Sequence, residues 1–272
     1  MPDLRVLPVA DMLLHEQHDA QRSEPLLQRL QTDGVLKNPP VVAPVPGNGR
    51  FVVLDGANRV TVTRALGLAH ILVQVVDYDD PELQLETWHH LVSGLSSEQF
   101  GRNLHALKGL RFEPAEPEHA KAQLDRREVL AIFQYPHARS WTIQATGDLH
   151  ERTRRLNEIV DLYKLHGSIL RTNSHDLPAM LPHHEEVAAL VVFPRFTPAE
   201  IVDLARVGAR LPAGITRHLI PRRALHVNLP MEILASTDSL EHKNAWLAQW
   251  IRQKVSSRAA RYYQESTFLF DE

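Results

Sequence analysis

The sequence contains no cysteine among its 272 residues. Disulfide bonds, thiolate nucleophiles and cysteine-ligated zinc or iron–sulfur centres are therefore excluded. No apolar run is long enough to span a bilayer, and the first residues lack the apolar core of a signal peptide. From these absences we expect a soluble, cytoplasmic protein without a membrane partner.

An excess of charge of either sign is also missing. Lysine and arginine number 30 and aspartate and glutamate 33, which gives a formal net charge of −3. Domains that bind nucleic acid usually carry a basic face or helix, and the sequence shows neither a basic helix nor a convincing helix-turn-helix pattern. A nucleic-acid partner is therefore disfavoured.

Several common site signatures are absent as well. The phosphate-binding pattern GxxxxGK[ST] and the hydrolase pattern GxSxG do not occur. His15 and His18 are one residue short of the HExxH spacing that places two histidines on one metal ion. The run from His183 to Glu186 offers metal or haem ligands, but four adjacent side chains fan around the backbone, which disfavours this role.

The central feature of the sequence is a pattern of strand, turn, helix and strand in its first third. Residues 51–54 form a short apolar run typical of a buried strand, and Asp55 with Gly56 breaks it. A helix is predicted to open at Asn58, and residues 71–76 are predicted to form a second buried strand. This pattern places a glycine-containing turn directly before the start of a helix.

Such a turn is a candidate anion site. Backbone N–H groups at a helix start point at one spot, and the helix dipole favours a negative charge there. Arg59 would add a bidentate phosphate contact. The alternative is an ordinary strand-to-helix turn with a solvated arginine, and the local sequence does not decide between them.

Strands and helices alternate along the chain, which predicts a mixed α/β (α+β) fold. A helix is predicted over residues 83–95. The acidic segment 112–117 is broken by prolines and suggests a boundary or an exposed loop. We therefore predict two domains, residues 1–110 and 111–272.

Four motifs in the first third occur in an order that resembles the ParB/sulfiredoxin-like fold, and more narrowly its free-serine kinase branch, which includes the serine kinase of siderophore biosynthesis. They are Leu14-His-Glu16, Asp33-Gly-Val-Leu-Lys-Asn-Pro39, Leu54-Asp-Gly-Ala-Asn-Arg59 and Val75-Val-Asp-Tyr78. Residues 214–230 and 261–272 are similar to later motifs of the same branch. Two departures stand out: Ala57 and Asn58 replace the usual histidines, and Arg222 stands where glycine is common.

The resemblance implies an enzyme that phosphorylates free L-serine to O-phospho-L-serine, with ATP or ADP as donor and Mg²⁺ as helper. It implies a ParB/sulfiredoxin-like N-terminal domain that binds nucleotide and phosphate, and a second α/β domain that completes the substrate site. Glu16 would be the general base, which suits phosphoryl transfer because this chemistry depends on positioning and charge neutralisation.

Further roles follow from the same resemblance. Asp55 would be a second catalytic residue, and would orient the turn or approach the Mg²⁺. The implied nucleotide- and phosphate-binding residues are Asp55, Gly56, Ala57, Asn58 and Arg59. The implied substrate-binding residues are Trp88, Thr216, Arg217, His218, Arg258 and Thr267.

The residues themselves leave alternatives open. Glu16 also fits a solvated surface charge, Asp55 a turn cap and Trp88 a core position on a helix. A ParB-like regulator that binds nucleotide and DNA without kinase activity is the second hypothesis, because a fold does not determine its function. Haem is kept as a regulator to be tested, and the oligomeric state is not predicted.

Overall fold

The computed structural model describes residues 1–18, 20–136, 139–184 and 186–262. The strands are β1 (Asp3–Pro8), β2 (Met12–Leu14), β3 (Val35–Leu36), β4 (Val41–Pro44), β5 (Phe51–Asp55), β6 (His70–Val75), β7 (Gln84–Thr87), β8 (His89–Ser93), β9 (Phe112–Ala115), β10 (Val129–Gln134), β11 (Ser140–Gln144), β12 (Ser168–Thr172), β13 (Val187–Val192), β14 (Thr216–Leu219) and β15 (Leu229–Pro230). The helices are α1 (Ala20–Asp33), α2 (Ala57–Ala65), α3 (Ser97–His105), α4 (Pro117–Asp125), α5 (Leu149–Lys164), α6 (Leu177–Met180), α7 (Pro198–Val207), α8 (Met231–Ala235) and α9 (Leu240–Ser256).

The chain divides into two units that differ from the predicted domains. Unit 1 comprises Met1–Met12, His18–Glu82 and the described residues from Ile220 onward, and unit 2 comprises Leu13–Gln17 and Leu83–Leu219. The predicted boundary at residue 110 does not coincide with this division, because the last part of the chain folds with the first part. Unit 1 is therefore discontinuous in sequence.

In unit 1, strands β1, β6, β4 and β5 lie side by side in that order. β1 pairs antiparallel with β6, β4 pairs antiparallel with β5, and β4 runs parallel to β6. Their branched apolar side chains are buried, as is usual for strands in a core. The most deeply buried of them are Val6, Val41, Val42, Val52, Ile71, Leu72 and Val73.

The helix α9 explains why the described residues after Ile220 belong to unit 1. Asn244 on α9 bonds to the backbone of Val6 in β1: its Oδ1 accepts from the Val6 N–H and its Nδ2 donates to the Val6 carbonyl, both at 2.9 Å. The neighbouring Lys243 is buried, and its Nζ donates to the carbonyls of Leu234 and Ser236 at 2.8 Å. These contacts tie α9 and the end of α8 to the sheet.

Unit 2 contains a six-stranded sheet with the order β12-β8-β13-β10-β11-β9 and the separate pair β14-β7. The neighbouring strands described for the large sheet are antiparallel. The central strand β13 is buried along its whole length. Pro114 lies in β9 at the sheet edge, where a missing N–H is tolerated.

One prediction in unit 2 is wrong. Residues 83–95 form the strands β7 and β8 rather than a helix. In β8 the residues His89 to Val92 are all buried, and the pairing of β8 with β12 and β13 overrides the local preference. The segment 112–117, predicted as a boundary or an exposed loop, contains β9 and the start of α4.

The strand–turn–helix–strand pattern of the first third is confirmed. The strand β5 and the strand β6 lie within one residue of the predicted bounds, and α2 starts at Ala57, one residue before the predicted position. Within the described part of the chain, no helix is long and apolar enough to cross a membrane. The mixed α/β fold class is also confirmed.

Candidate active site

The turn after β5 requires glycine at one position. Gly56 has φ +95°, and a Cβ atom at this residue would lie 3.0 Å from Cα of Pro40 and 3.0 Å from Nε of Arg59. Gly56 also precedes α2 and provides no side chain to cap it, so the first N–H groups of α2 depend on other acceptors. The local geometry is that of a helix start suited to an anion.

The guanidinium of Arg59 donates three hydrogen bonds to residues in and around the turn. Its NH1 donates to the carbonyls of Asn38 at 2.8 Å and Pro39 at 3.0 Å, and its NH2 donates to Oδ2 of Asp55 at 2.6 Å. Burial lowers the pKa of Arg59, the adjacent Asp55 raises it, and the charge of Arg223 lowers it further. Arginine stays protonated in proteins, so the guanidinium is a fixed positive charge beneath the turn.

Asp55 lies between two arginines. Its Oδ2 accepts from Arg59 and also from NH2 of Arg223, whose side chain is 35% exposed. The carboxylate is therefore partly neutralised before any ligand arrives. Sequence reasoning missed Arg223, because the interaction joins residues 168 positions apart.

The segment that carries Arg223 is anchored by Gln74 of β6, which is only 2% exposed. Gln74 donates through Nε2 to the Arg222 carbonyl at 3.2 Å, and its Oε1 accepts from the Ala224 N–H at 2.8 Å. Arg222 has φ +52°, a left-handed conformation that costs energy for any residue with a Cβ atom. This conformation explains why glycine is common here in the similar motif.

The two substitutions in the central turn have different surroundings. Ala57 is the first residue of α2 and brings no polar side chain. Asn58 accepts a hydrogen bond at 3.4 Å from the hydroxyl of Ser23 in α1. Neither residue can provide the imidazole that is usual at these positions.

In unit 2, Glu16 is fixed by three donors of one segment. Its Oε2 accepts from the N–H of Gly214 at 2.8 Å, and its Oε1 accepts from the N–H of Thr216 at 2.6 Å and from the Thr216 hydroxyl at 2.5 Å. The backbone is also paired, because Gln17 N–H donates to the Leu211 carbonyl at 2.8 Å. Glu16 is thus held in place rather than solvated.

Two histidines lie beside this carboxylate. Nε2 of His15 is 2.9 Å from Oγ1 of Thr216, and His15 is 3% exposed. The His218 ring meets the His15 ring edge-on, with 5.6 Å between their centroids. His15 was not predicted from the sequence, although its position next to Glu16 was a usable signal.

Arg217 and Trp88 are also in contact. The guanidinium carbon of Arg217 lies 4.5 Å from the centroid of the Trp88 ring, and NH1 of Arg217 donates to Oε2 of Glu86 at 2.7 Å. Pairing of β14 with β7 places Arg217 opposite Glu86 in register. Unit 2 therefore arranges five of the predicted site residues in two groups along β14: Glu16, Thr216 and His218, which are linked through His15, and Arg217 with Trp88.

The remaining predicted substrate residues are Arg258 and Thr267. Arg258 lies in unit 1 just after α9, has φ +58°, and its N–H donates to the Val255 carbonyl at 3.1 Å. Thr267 lies outside the described residues. Both stay predictions.

Among the described residues, no group of three histidine, aspartate or glutamate side chains is arranged to hold a metal ion. Of the four-residue run considered as a metal or haem site, Glu185 lies outside the described residues. Burial lowers the pKa of His89 to about 4 and that of His90 to about 3. Both imidazoles are therefore neutral near pH 7.

No family model matches the sequence. The chain is 24% identical over 271 residues to the ATP-dependent L-serine kinase SbnI of Staphylococcus aureus, which covers 99% of this chain and 97% of that protein. It is 23% identical over 235 residues to an ATP-dependent L-serine kinase of Staphylothermus marinus, covering 84% and 90% of the two chains. It is 23% identical over 226 residues to the ADP-dependent L-serine kinase SerK of Thermococcus kodakarensis, covering 81% and 88%.

Comparison with solved structures identifies the fold of the chain. A free serine kinase with one glutamate replaced by alanine, in complex with AMP, matches with a TM-score of 0.73 at 20% identity over 86% of this chain and 94% of that chain. C-terminally truncated SbnI from Staphylococcus aureus matches with a TM-score of 0.71 at 23% identity over 94% and 97%. The chain has the fold of the free serine kinases.

Proposed function

We propose that this protein is a kinase for free L-serine, which transfers a phosphoryl group from ATP or ADP to the serine hydroxyl and forms O-phospho-L-serine. One observation carries the proposal: the chain is similar to named L-serine kinases along nearly its whole length, in sequence and in fold. The arrangement of Glu16 and its neighbours supports it.

Glu16 is proposed as the group that orients the serine hydroxyl and accepts its proton. An ionised carboxylate has about four lone-pair positions, and the described donors occupy three of them on Glu16. The remaining position lies on Oε2 and is suited to one more donor, such as the substrate hydroxyl. Three fixed donors also hold the carboxylate in one orientation, which favours a defined attack geometry.

The neighbouring ion pair offers matched charges for the rest of serine. The substrate is a zwitterion with one ammonium and one carboxylate group. Glu86 and Arg217 present the two opposite charges 2.7 Å apart, with Trp88 against the guanidinium. We assign Arg217 to the substrate carboxylate and Glu86 to the ammonium group.

The turn from Asp55 to Arg59 is proposed to bind the phosphates of the nucleotide. Its backbone N–H groups at the start of α2 favour an anion. Arg59 is bound to two carbonyls and Asp55, so its proposed part is to hold the turn and supply positive charge. Arg223 is more exposed and is assigned a direct phosphate contact.

Mg²⁺ is proposed to bind together with the nucleotide. This ion usually takes one or two carboxylates plus phosphate oxygens and water. Asp55 supplies one carboxylate, and the two arginines on its Oδ2 disfavour a bare cation but fit a magnesium–nucleotide complex, which is negatively charged overall. When bound, the ion would neutralise charge on the transferring phosphoryl group.

The test is product formation from free amino acids. Purified protein is incubated with Mg²⁺, L-serine and either ATP or ADP, and phosphoamino acids are followed by mass spectrometry. We expect phosphoserine with at least one of the two nucleotides. A lack of product with both nucleotides, for serine and for related amino acids, would refute the proposal.

Finer parts of the proposal combine features of the sequence with the resemblance. They are a cytoplasmic location, a supply of phosphoserine to siderophore or other amino-acid-derived biosynthesis, and regulation by haem. Haem binding is checked by titration of the purified protein and absorbance in the Soret region. A spectrum equal to that of free haem at every ratio would remove haem from the proposal.

A further inference from the structure

Glu16 is connected to a buried histidine through a threonine hydroxyl. The Thr216 hydroxyl is 2.5 Å from Oε1 of Glu16 and 2.9 Å from Nε2 of His15. His15 is 3% exposed and Thr216 is 9% exposed. Water therefore competes little for these contacts.

The chemistry of the three groups determines the direction of each hydrogen bond. An ionised carboxylate only accepts, so the single hydroxyl hydrogen of Thr216 points at Glu16. The Thr216 oxygen must then accept from His15, which requires a hydrogen on Nε2 of the imidazole. The geometry thus selects the tautomer of His15 that carries its hydrogen on Nε2.

We infer that His15 and Thr216 are positioning residues that orient the carboxylate of Glu16 for phosphoryl transfer. His15 fixes the rotation of the Thr216 hydroxyl, and the hydroxyl then fixes Oε1 of Glu16, which leaves Oε2 directed at the substrate. This inference rests on the proposed function, and it changes the role of Thr216 from a substrate contact to a support of the base.

The strand pair provides a matched control. Thr87 lies directly opposite Thr216 in the pairing of β7 with β14 and is 6% exposed. Its hydroxyl donates to the Pro194 carbonyl at 3.2 Å and not to Glu16. Thr87→Val therefore removes a buried hydroxyl of the same kind from the same strand pair without touching the proposed network.

The kinetic test compares the two threonines. Thr216→Val should lower kcat for phosphoserine formation by about tenfold to a hundredfold, the effect of one hydrogen bond to a charged group. KM for serine should stay within about twofold, because the variant keeps the backbone contacts. Thr216→Ser should restore kcat, and Thr87→Val should leave it unchanged. A Thr216→Val enzyme with the kcat of the wild type would overturn the inference.

His15 is tested by the same logic. His15→Leu should lower kcat by a similar factor, and His15→Gln, which keeps a donor near the position of Nε2, should recover part of it. The double variant His15→Leu with Thr216→Val should be no slower than the slower single variant, since both act through one network. Additive losses would show that the two residues act separately.

A measurement that needs no turnover separates this inference from the proposed function. Long-range ¹⁵N–¹H spectra of the imidazole groups, assigned with the His15→Gln variant, should show hydrogen on Nε2 of His15. The signal should shift in Thr216→Val and not in Thr87→Val. Hydrogen on Nδ1, or no response to Thr216→Val, would refute the network even in an active kinase. If the spectra agree but no phosphoserine forms, the proposed function fails and the network stands.

Discussion

Two carboxylates, Asp55 in unit 1 and Glu16 in unit 2, are held by opposite means. Asp55 is bound by two charged guanidinium groups on long side chains. Glu16 is bound by two backbone N–H groups and one hydroxyl, all neutral. An arginine bound to Asp55 can release this carboxylate and bind another anion, such as a phosphate. The neutral donors around Glu16 mainly fix the orientation of its carboxylate. The difference suits a binding turn in one case and a reacting group in the other.

The largest expected effect comes from Glu16→Gln. The amide cannot accept a proton at its nitrogen and cannot accept all three donors, so phosphoserine formation should fall by about a hundredfold or more. Phosphoserine is measured by mass spectrometry at saturating serine and nucleotide. Glu98→Gln, at an exposed carboxylate of unit 2 that pairs only with Arg102 in the described contacts, is the control. Equal rates for the two variants would remove Glu16 from the chemistry.

Acid should affect unit 2 through its buried histidines. The pKa values of His89 and His90 are lowered to about 4 and about 3, mainly by burial. The unfolded chain binds protons at these residues below about pH 6.5, whereas the folded protein does not. Stability should therefore be lost as pH falls from about 6.5 towards 4. Denaturant midpoints measured at pH 7.5 and 5 test this, and imidazole titrations with ordinary midpoints near 6.5 would contradict it.

Gly56→Ala is the substitution expected to disturb the turn of unit 1 most directly. Gly56→Ala adds a Cβ that meets the backbone of Pro40 at 3.0 Å, and alanine is strained at φ +95°. We expect a loss of about 3 kcal/mol in the free energy of unfolding, measured by denaturant titration, together with weaker nucleotide binding. Gly49→Ala is the control, because φ is +66° there and no atom lies within 4 Å of the added Cβ. It should cost only about 1 kcal/mol. Equal costs would show that the contact with Pro40 is unimportant.

A smaller effect is expected when Arg223, which is proposed to release Asp55 and bind a phosphate, is replaced. Arg223→Ala should raise KM for the nucleotide by about tenfold, the effect expected for one charged hydrogen bond, and leave KM for serine unchanged. Increasing salt should weaken nucleotide binding in the wild type more than in the variant, because charge attraction is screened. A rise in KM for serine alone would assign Arg223 to the other substrate.

The smallest effect is expected for Arg222→Gly. Glycine removes the strain of φ +52°, while the ion pairs with Asp80 at 3.0 Å and Glu82 at 3.4 Å are lost. Surface ion pairs contribute about 0–1 kcal/mol, so the free energy of unfolding should rise by at most about 1 kcal/mol. Nucleotide and serine KM should not change. A clear loss of stability would mean that the ion pair outweighs the backbone strain.

Local patterns predicted the turn of unit 1 well, because its strand, glycine and helix are adjacent in sequence. The contacts of Glu16 could not be predicted from physical patterns, since its donors lie about 200 residues away. The error at residues 83–95 has the same origin. Whether this segment is helix or strand depends on the partners β12, β13 and β14, none of which is near in sequence.

The predicted domains differ from the two units for a related reason. The boundary at residue 110 assumed that each domain is one continuous piece of chain. The contact of Asn244 with Val6 joins residues 238 positions apart. The composition of α9 does not predict this contact. The order of the motifs identified the fold, but it did not show which pieces of chain build each unit.

The contact between α9 and β1 has a consequence for protein synthesis. The residues of unit 2 lie between the pieces of unit 1 in the sequence, so all of them are synthesised before α9. At about 5–20 residues per second, the backbone groups of Val6 remain unpaired by Asn244 for about 10 to 50 seconds, because 238 residues separate the two. An unpaired strand edge is a site of wrong association. The nascent chain therefore carries an open sheet edge until α9 is made, and carries it for longer when translation pauses ahead of α9.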